Sequence, residues 1–322
     1  MSGSVPLISV CIPAYNHEKY VELAIRSVLE QDYPHIELIV VDDCSQDDTW
    51  PIIKALEKEC CEALERVVLK RNEINLGTWD TFNKLCSLSI GEFFIPLASD
   101  DKLLPGALSA LIKPMLDDNA IGVVVGQNLI MDGDGRICFW DKERNNVYTE
   151  EESEWRTFND FLKSSTGIDS FRSQFGIYAA LLKSNHVVNG YLIRRKSLDK
   201  VLPFTKEAPL EDWWMHLQLA KITGYKAIDI ATFCYRWHNT NTVKNRDLML
   251  RIARQTLWYE WKSLLKSGDK CYIDAFSSVY FKRKYECGIG RLLYFEHVRV
   301  LNKKWHEFHI GKWSLKFRER EI

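Results

Sequence analysis

The most constraining feature of this chain is an alternation: over roughly its first hundred residues, short β-prone runs trade places with amphipathic helical stretches. That rhythm builds βαβ units feeding a parallel sheet rather than a bundle or a sandwich. Residues 8–12 read as a first strand, and Val21, Ala24, Ile25 and Val28 then fall at i, i+3, i+4 and i+7, one face of a helix. Strands are expected at 36–41, 66–69, 93–97 and 121–125, with helices at 48–60 and 80–87 and another opened by Pro105. After Gly126 the rhythm breaks at the turn signal Asp132-Gly133-Asp134-Gly135, followed by a polar helical stretch over 150–162. It returns as a strand–helix pattern over 190–201, a helix over 210–223 and a β-prone run over 226–230, and beyond Asn245 the chain reads as helices rich in aromatic and basic residues.

The 322 residues leave room for one large α/β domain or two smaller ones. A net charge of −1 gives no global reason to expect nucleic acid, but the balance is regional: from Lys282 onward eleven Lys/Arg face five Asp/Glu, a basic arm on an acidic body. No run reaches the roughly 20 apolar residues of a membrane-spanning helix, and no basic-then-apolar leader opens the chain, so a cytoplasmic protein with its nine cysteines as thiols is expected. No C-x-x-C, P-loop or strand-borne G-x-G-x-x-G is present; Gly288-Ile289-Gly290 lies in the tail. A sugar-nucleotide pyrophosphorylase would carry a glycine-rich basic loop after strand one, where this chain has Pro13-Ala14-Tyr15-Asn16.

Ligands of open α/β sheets bind beyond the carboxyl ends of the strands, and those ends are unusually polar here. Strand one leads into Pro13-Ala14-Tyr15-Asn16, strand two into Asp42-Asp43-Cys44-Ser45, strand three into Asn72 and Asn75-Leu76-Gly77, and strand four into Ser99-Asp100-Asp101. A single acidic pair would serve as a helix cap. Two acidic pairs at one sheet edge repel each other unless a counter-charge is supplied, which a divalent cation does.

As an ordered set, these motifs resemble the family 2 glycosyltransferases of the GT-A fold. The match is carried by residues 8–16, by 37–45 with Asp47 and Thr49, by Asn75, Gly77, Asn83, Gly91-Glu92 and 97–101, and then by Arg194-Arg195, Glu211-Asp212 and Tyr235-Arg236-x-His238. It spans about 6–242 but does not account for 127–188 within that range or for the tail after 245. The resemblance implies a central, mostly parallel sheet flanked by helices, over a catalytic domain of 1–245 with a nucleotide-sugar half (1–126) and an acceptor and base half (127–245). A helical, basic extension would follow over 246–322.

The resemblance also implies roles. Pro13, Ala14, Tyr15, Asn16, Asp43, Asn75, Gly77, Ser99, Asp100, Asp101, Arg194 and Arg236 would bind the nucleotide-diphospho-sugar, with Asp43 accepting from the N3–H of uracil or thymine. Asp100 would hold Mg²⁺ or Mn²⁺ with His238, although the first acid of the family's D-x-D is replaced by Ala98, which shifts the burden to diphosphate oxygens. Asp212 would be the general base of a single inverting displacement and would converge with Asp100 on one cleft. Glu211 and Trp213 would meet the acceptor; Trp140 and Trp214 are further flat faces for sugar rings. The donor expected is a UDP-sugar ahead of dTDP- or GDP-sugars, carrying a hexose or N-acetylhexosamine. The acceptor expected is a saccharide linked to polyprenyl diphosphate, in lipopolysaccharide, O-antigen or other surface-polysaccharide synthesis. Lys282-Arg283-Lys284, Lys303-Lys304, Trp305 and Trp313 suit peripheral attachment to the inner face of an anionic membrane, with a homodimer contact as the competing use. The competing function is a non-catalytic nucleotide-sugar or glycan-binding module on the same fold.

Overall fold

The computed structural model describes residues 5–280 and the backbone of 293–300, 303–310 and 313–318. In chain order the elements are β1 (Ile8–Ala14), α1 (Val21–Leu29), β2 (Ile36–Asp42), α2 (Thr49–Ala55), α3 (Glu57–Ala63), β3 (Arg66–Arg71), α4 (Thr78–Leu88), β4 (Phe93–Pro96), β5 (Lys102–Leu103), α5 (Ala107–Asp117), β6 (Ile121–Met131), β7 (Ile137–Trp140), β8 (Asn146–Val147) and α6 (Phe158–Thr166). Then come α7 (Tyr178–Lys183), β9 (Leu192–Arg194), α8 (Arg195–Leu198), α9 (Glu211–Leu219), β10 (Gly224–Arg236), α10 (Arg246–Ser267), α11 (Lys270–Tyr280), β11 (Leu293–Val300), β12 (Lys303–Ile310) and β13 (Trp313–Arg318).

Two compact units result. The first comprises 1–176, 186–204 and 218–241 and is built on a sheet of order β3-β2-β1-β4-β9-β6-β10-β5, with β7 and β8 running off β6. Pairs β3/β2, β2/β1, β1/β4 and β6/β10 are parallel, whereas β9 runs antiparallel to both β4 and β6. β1 and β2 are buried along nearly their whole length and read as continuous apolar runs, as parallel strands covered on both faces must. α1 is amphipathic and turns Val21, Ala24, Ile25 and Val28 into the same core. The chain leaves β1 toward β2 and β3, then returns to pair β4 on β1's other side. That reversal places the crevice of the sheet beyond the carboxyl ends of β1 and β4.

At the opposite edge the buried Glu37 accepts from Ser9 Oγ, from the backbone N–H groups of Ile90 (2.6 Å) and Gly91 (2.8 Å), and from Arg66. Gly91 is obligatory there, because a Cβ would meet Ser9 Oγ at 2.5 Å and the Leu7 carbonyl at 2.8 Å. Glu37 thereby fixes where β4 begins.

The second unit comprises 177–185, 205–217 and 242–322. The extension is helical through α10 and α11, the former opened by Asn245, whose side chain caps Leu248 N (3.1 Å). Beyond them the expectation of helix fails: β11, β12 and β13 form an antiparallel three-stranded sheet. The tail's Val298 and Val300 carry the β-branching that aromatic and basic composition masked. Lys282-Arg283-Lys284 and Gly288-Ile289-Gly290 lie outside the described residues, as do the side chains of Lys303, Lys304, Trp305 and Trp313. Among the described residues no helix is long and apolar enough to cross a membrane, and the eight cysteines there are free.

Candidate active site

The strand-end loops of the first unit are tied together by side chains rather than by secondary structure. Past β1, Asn16 takes a left-handed conformation (φ 53°), which asparagine tolerates, and its Oδ1 accepts from Gln46 N (2.8 Å) while its N donates to Ser45 Oγ (2.9 Å). Past β2, Cys44 is also left-handed (φ 63°), and Asp42, fully buried, accepts from the Ser45 hydroxyl and pairs with Arg71 (3.1 Å). Asp43 Oδ1 accepts from Asn72 Nδ2 (2.7 Å) and Leu76 N (2.8 Å), and Oδ2 from Gly77 N (2.8 Å). It therefore holds the loop after β3, with Gly77 at φ 80°, and Oδ2 retains a lone pair for a ligand. Next to it Ala14 is buried, whereas Tyr15, Asn16 and Asn75 are exposed, Tyr15 by 44%.

The loop after β4 brings Asp100 to His238, just past β10: His238 Nε2 lies 3.0 Å from Asp100 Oδ2, and its Nδ1 lies 2.8 Å from Thr240 Oγ1. His17 shares a 2.7 Å hydrogen bond with Ser99 Oγ, and Tyr20 packs on His238 with ring centroids 5.1 Å apart. Burial works against the Asp100 charge, but the His238 hydrogen bond and the nearby His17 and His238 outweigh it, so the carboxyl titrates below its ordinary range. Burial also lowers His17, against the pull of Asp100, leaving a neutral ring at pH 7. Neither His17, Tyr20 nor Thr240 stood out in the sequence; the only signal for His17 was its place directly after the strand-one motif.

Other expected ligand residues are committed elsewhere. Asp101 is buried, accepts from Arg236 N (2.8 Å), and is pushed well above the carboxylate range by burial and by Asp100; it braces the site from within. Arg236, 1% exposed, donates to the carbonyls of Asp100 (2.6 Å), Asp132 (3.1 Å) and Gly133 (3.2 Å) and lies 4.7 Å over the Tyr20 ring. Its guanidinium ties three loops together. Arg194 does not reach the site: it pairs with Phe93, the first residue of β4, and donates to the Met115 carbonyl (2.7 Å), at the sheet edge opposite Asp100. The antiparallel direction of β9 is the reason.

An open cavity of about 580 Å³ is lined by His238 together with Lys19, Tyr20, Asp134, Asn146 and Arg236 among others. Asp100 and His238 suit a divalent cation. Their facing atoms are 3.0 Å apart, about the spacing of adjacent ligands around an ion held at about 2.1 Å, and one carboxylate plus substrate phosphates is a common Mg²⁺ environment. Among the described residues no group of three His, Cys, Asp or Glu can hold a metal, so the remaining ligands would be substrate oxygens and water.

In the second unit the first turn of α9 carries Glu211 and Asp212. Asp212 Oδ2 accepts from Asn185 Nδ2 (2.8 Å) and Oδ1 from Trp213 N (2.6 Å), while Thr256 of α10 accepts from Leu210 N (2.9 Å) and anchors the helix entry. Burial, and for Glu211 also the Asp212 charge, raises both acids, Glu211 to about 8. Two adjacent acids in a shielded environment share one negative charge near neutrality. Trp213 cannot serve as a platform for a sugar: it is 3% exposed, with Nε1 donating to the Leu181 carbonyl (2.7 Å). Trp140 is a core residue packed edge-on against Phe158 and Phe161 and tilted against Trp237, and Trp214 is buried too.

The profile of the family described as "Glycosyl transferase family 2" matches residues 9–175. The chain is 27% identical over 269 residues to the "Putative teichuronic acid biosynthesis glycosyltransferase TuaG" of Bacillus subtilis, covering 76% of this chain and 100% of that protein. It is 37% identical over 109 residues to the "GalNAc(5)-diNAcBac-PP-undecaprenol beta-1,3-glucosyltransferase" of Campylobacter jejuni, 34% of each chain. TuaG apart, the chain spans only 34% to 42% of the length of the first curated relatives it matches. The crystal structure of S. aureus TarS 1-349 with UDP-GlcNAc superimposes with a TM-score of 0.53 at 20% identity, over 77% of this chain and 66% of that one.

Proposed function

Because this chain belongs to glycosyl transferase family 2 and has the GT-A fold, we propose that it is an inverting enzyme that moves a sugar from a nucleotide-diphospho-sugar to a saccharide hydroxyl. The observation that carries the reading is the ionised Asp100 beside His238 at the carboxyl ends of β1 and β4. A carboxylate kept charged despite burial there is poised for a cation and a diphosphate.

In this reading the exposed Tyr15 offers a face to the base, and the spare lone pair of Asp43 accepts from the N3–H of uracil. Asp100 and His238 would hold Mg²⁺ or Mn²⁺, which when bound supplies positive charge to the leaving diphosphate. Asp212 takes the proton of the attacking hydroxyl, and Glu211, which holds its own proton to higher pH, leaves Asp212 as the ionised member of the pair. Inversion needs this one base and no covalent intermediate.

The kinship with TuaG and with an enzyme named for an undecaprenol-linked acceptor supports a place in bacterial surface-polysaccharide synthesis and a lipid-linked acceptor. The test is nucleoside diphosphate release from a panel of UDP-sugars with Mn²⁺. Release that survives Asp212→Asn and Asp100→Ala combined would overturn the assignment.

A further inference from the structure

Asn185 belongs to none of the motifs that point to glycosyl transfer. It sits two residues past α7, where Tyr178 donates to the buried Glu260 (2.7 Å) and the Tyr280 hydroxyl donates to the Leu182 carbonyl. The end of α7 is thus pinned. Onto it dock two consecutive residues of α9: Trp213 through Nε1 to Leu181 O, and Asp212 through Oδ2 to Asn185 Nδ2. The orientation of the Asn185 amide is fixed by chemistry, since a flip would set its oxygen against the carboxylate. Its Oδ1 is buried without a hydrogen-bond partner among the described residues, a cost that a residue serving packing alone would not carry.

We propose that Asn185 is the positioning residue for Asp212, holding the carboxylate by one oxygen so that a lone pair stays aimed at the hydroxyl to be deprotonated. The inference rests on Asp212 being the general base. The Trp213–Leu181 bond sets the height of the helix turn and the Asn185–Asp212 bond sets the carboxylate's rotation. A donor on a carboxylate also favours its charged form, opposing the burial that raises Asp212. Glu211, beside it in the first turn of α9, is itself raised by the Asp212 charge. Removing the Asn185 amide therefore shifts Asp212 toward its protonated form and frees the rotation of its carboxyl.

The experiment compares Asn185→Ala, Asn185→Asp and Asp212→Asn in the full chain. The readouts are UDP release from whichever of UDP-Glc, UDP-Gal, UDP-GlcNAc and UDP-GalNAc turns over fastest, and the pH titration of the Asp212 carboxyl ¹³C resonance, which needs no substrate. Asp212→Asn should lower kcat by about 10² or more. Asn185→Ala should lower kcat at pH 7 by roughly tenfold with donor KM within twofold, and move the Asp212 titration and the acid limb of kcat/KM up by about one pH unit. Asn185→Asp, which keeps the side-chain volume, should move both further. An inactive Asp212→Asn beside Asn185 variants with unshifted titration and limb would overturn the positioning role alone. A fully active Asp212→Asn would overturn the base assignment and this inference with it.

Discussion

His238 Nε2 stands 3.0 Å from Asp100 Oδ2 and so joins the end of β10 to the loop after β4. Because its neighbours depress the Asp100 carboxyl, the native state releases that proton more readily than the unfolded chain does. A depressed acid contributes stability that is complete above its unfolded value, about 3.9, and vanishes as pH falls through the lower native value. In metal-free buffer, Asp100→Asn should melt below the wild type at pH 6, and the two melting curves should converge toward pH 3. A constant difference across that range would show that the Asp100 charge is not its source.

Thr240 Oγ1 stands 2.8 Å from His238 Nδ1. When its hydroxyl accepts from Nδ1–H, the Nε2 lone pair is available to a cation, the usual service of an outer hydrogen bond to a metal-binding histidine. Thr240→Val should weaken Mn²⁺ binding about tenfold by isothermal titration in the presence of UDP, with an unchanged circular dichroism spectrum. Equal affinity would remove Thr240 from the site.

The parallel half of the sheet was legible because its signals are local. Asp43 follows a run of β-branched residues and Asp100 a shorter apolar run, and an acid pair just past such a run lies at the carboxyl edge whenever the strand is parallel. Arg194 follows an equally good strand, but nothing in its neighbours says that β9 runs the other way, so the same rule places it at the wrong edge. Trp213 shows a second limit. It adjoins Asp212, yet a helix turns about 100° per residue, so neighbours in sequence face different surroundings. Asn185 and His17 were invisible for a simpler reason: their partners, Asp212 and Ser99, lie 27 and 82 positions away, and no spacing rule spans that distance.

Tyr15 and Trp213 make opposite predictions from similar chemistry. Tyr15, exposed at the end of β1, is free to stack on a base, an interaction of about 1–3 kcal/mol. Tyr15→Ala should weaken UDP binding by at least fivefold without lowering the melting temperature. Trp213→Phe should do the reverse. It forfeits the hydrogen bond to Leu181, about 1 kcal/mol of stability, and leaves donor affinity unchanged. Fluorescence titration with UDP and urea unfolding separate the two outcomes.

Glu37 offers a test far from any ligand. It is wholly buried, and it satisfies two backbone N–H groups and a hydroxyl while facing Arg66, whose side chain is 34% exposed. Truncation would strand those donors where water is scarce and leave the arginine without its partner. Breaking such a buried pair costs about 3–5 kcal/mol, and the half-solvated Arg66 moves the expectation toward the lower figure. Glu37→Ala should therefore lose about 3 kcal/mol in urea unfolding. Glu37→Gln, which keeps one acceptor oxygen for Gly91, should lose less. Because Glu37 sets the start of β4 and Asp100 follows its end, the Ala variant should also weaken UDP–Mn²⁺ binding where the Gln variant does not; equal ligand affinity in both would mean that the β4 register survives without the clamp.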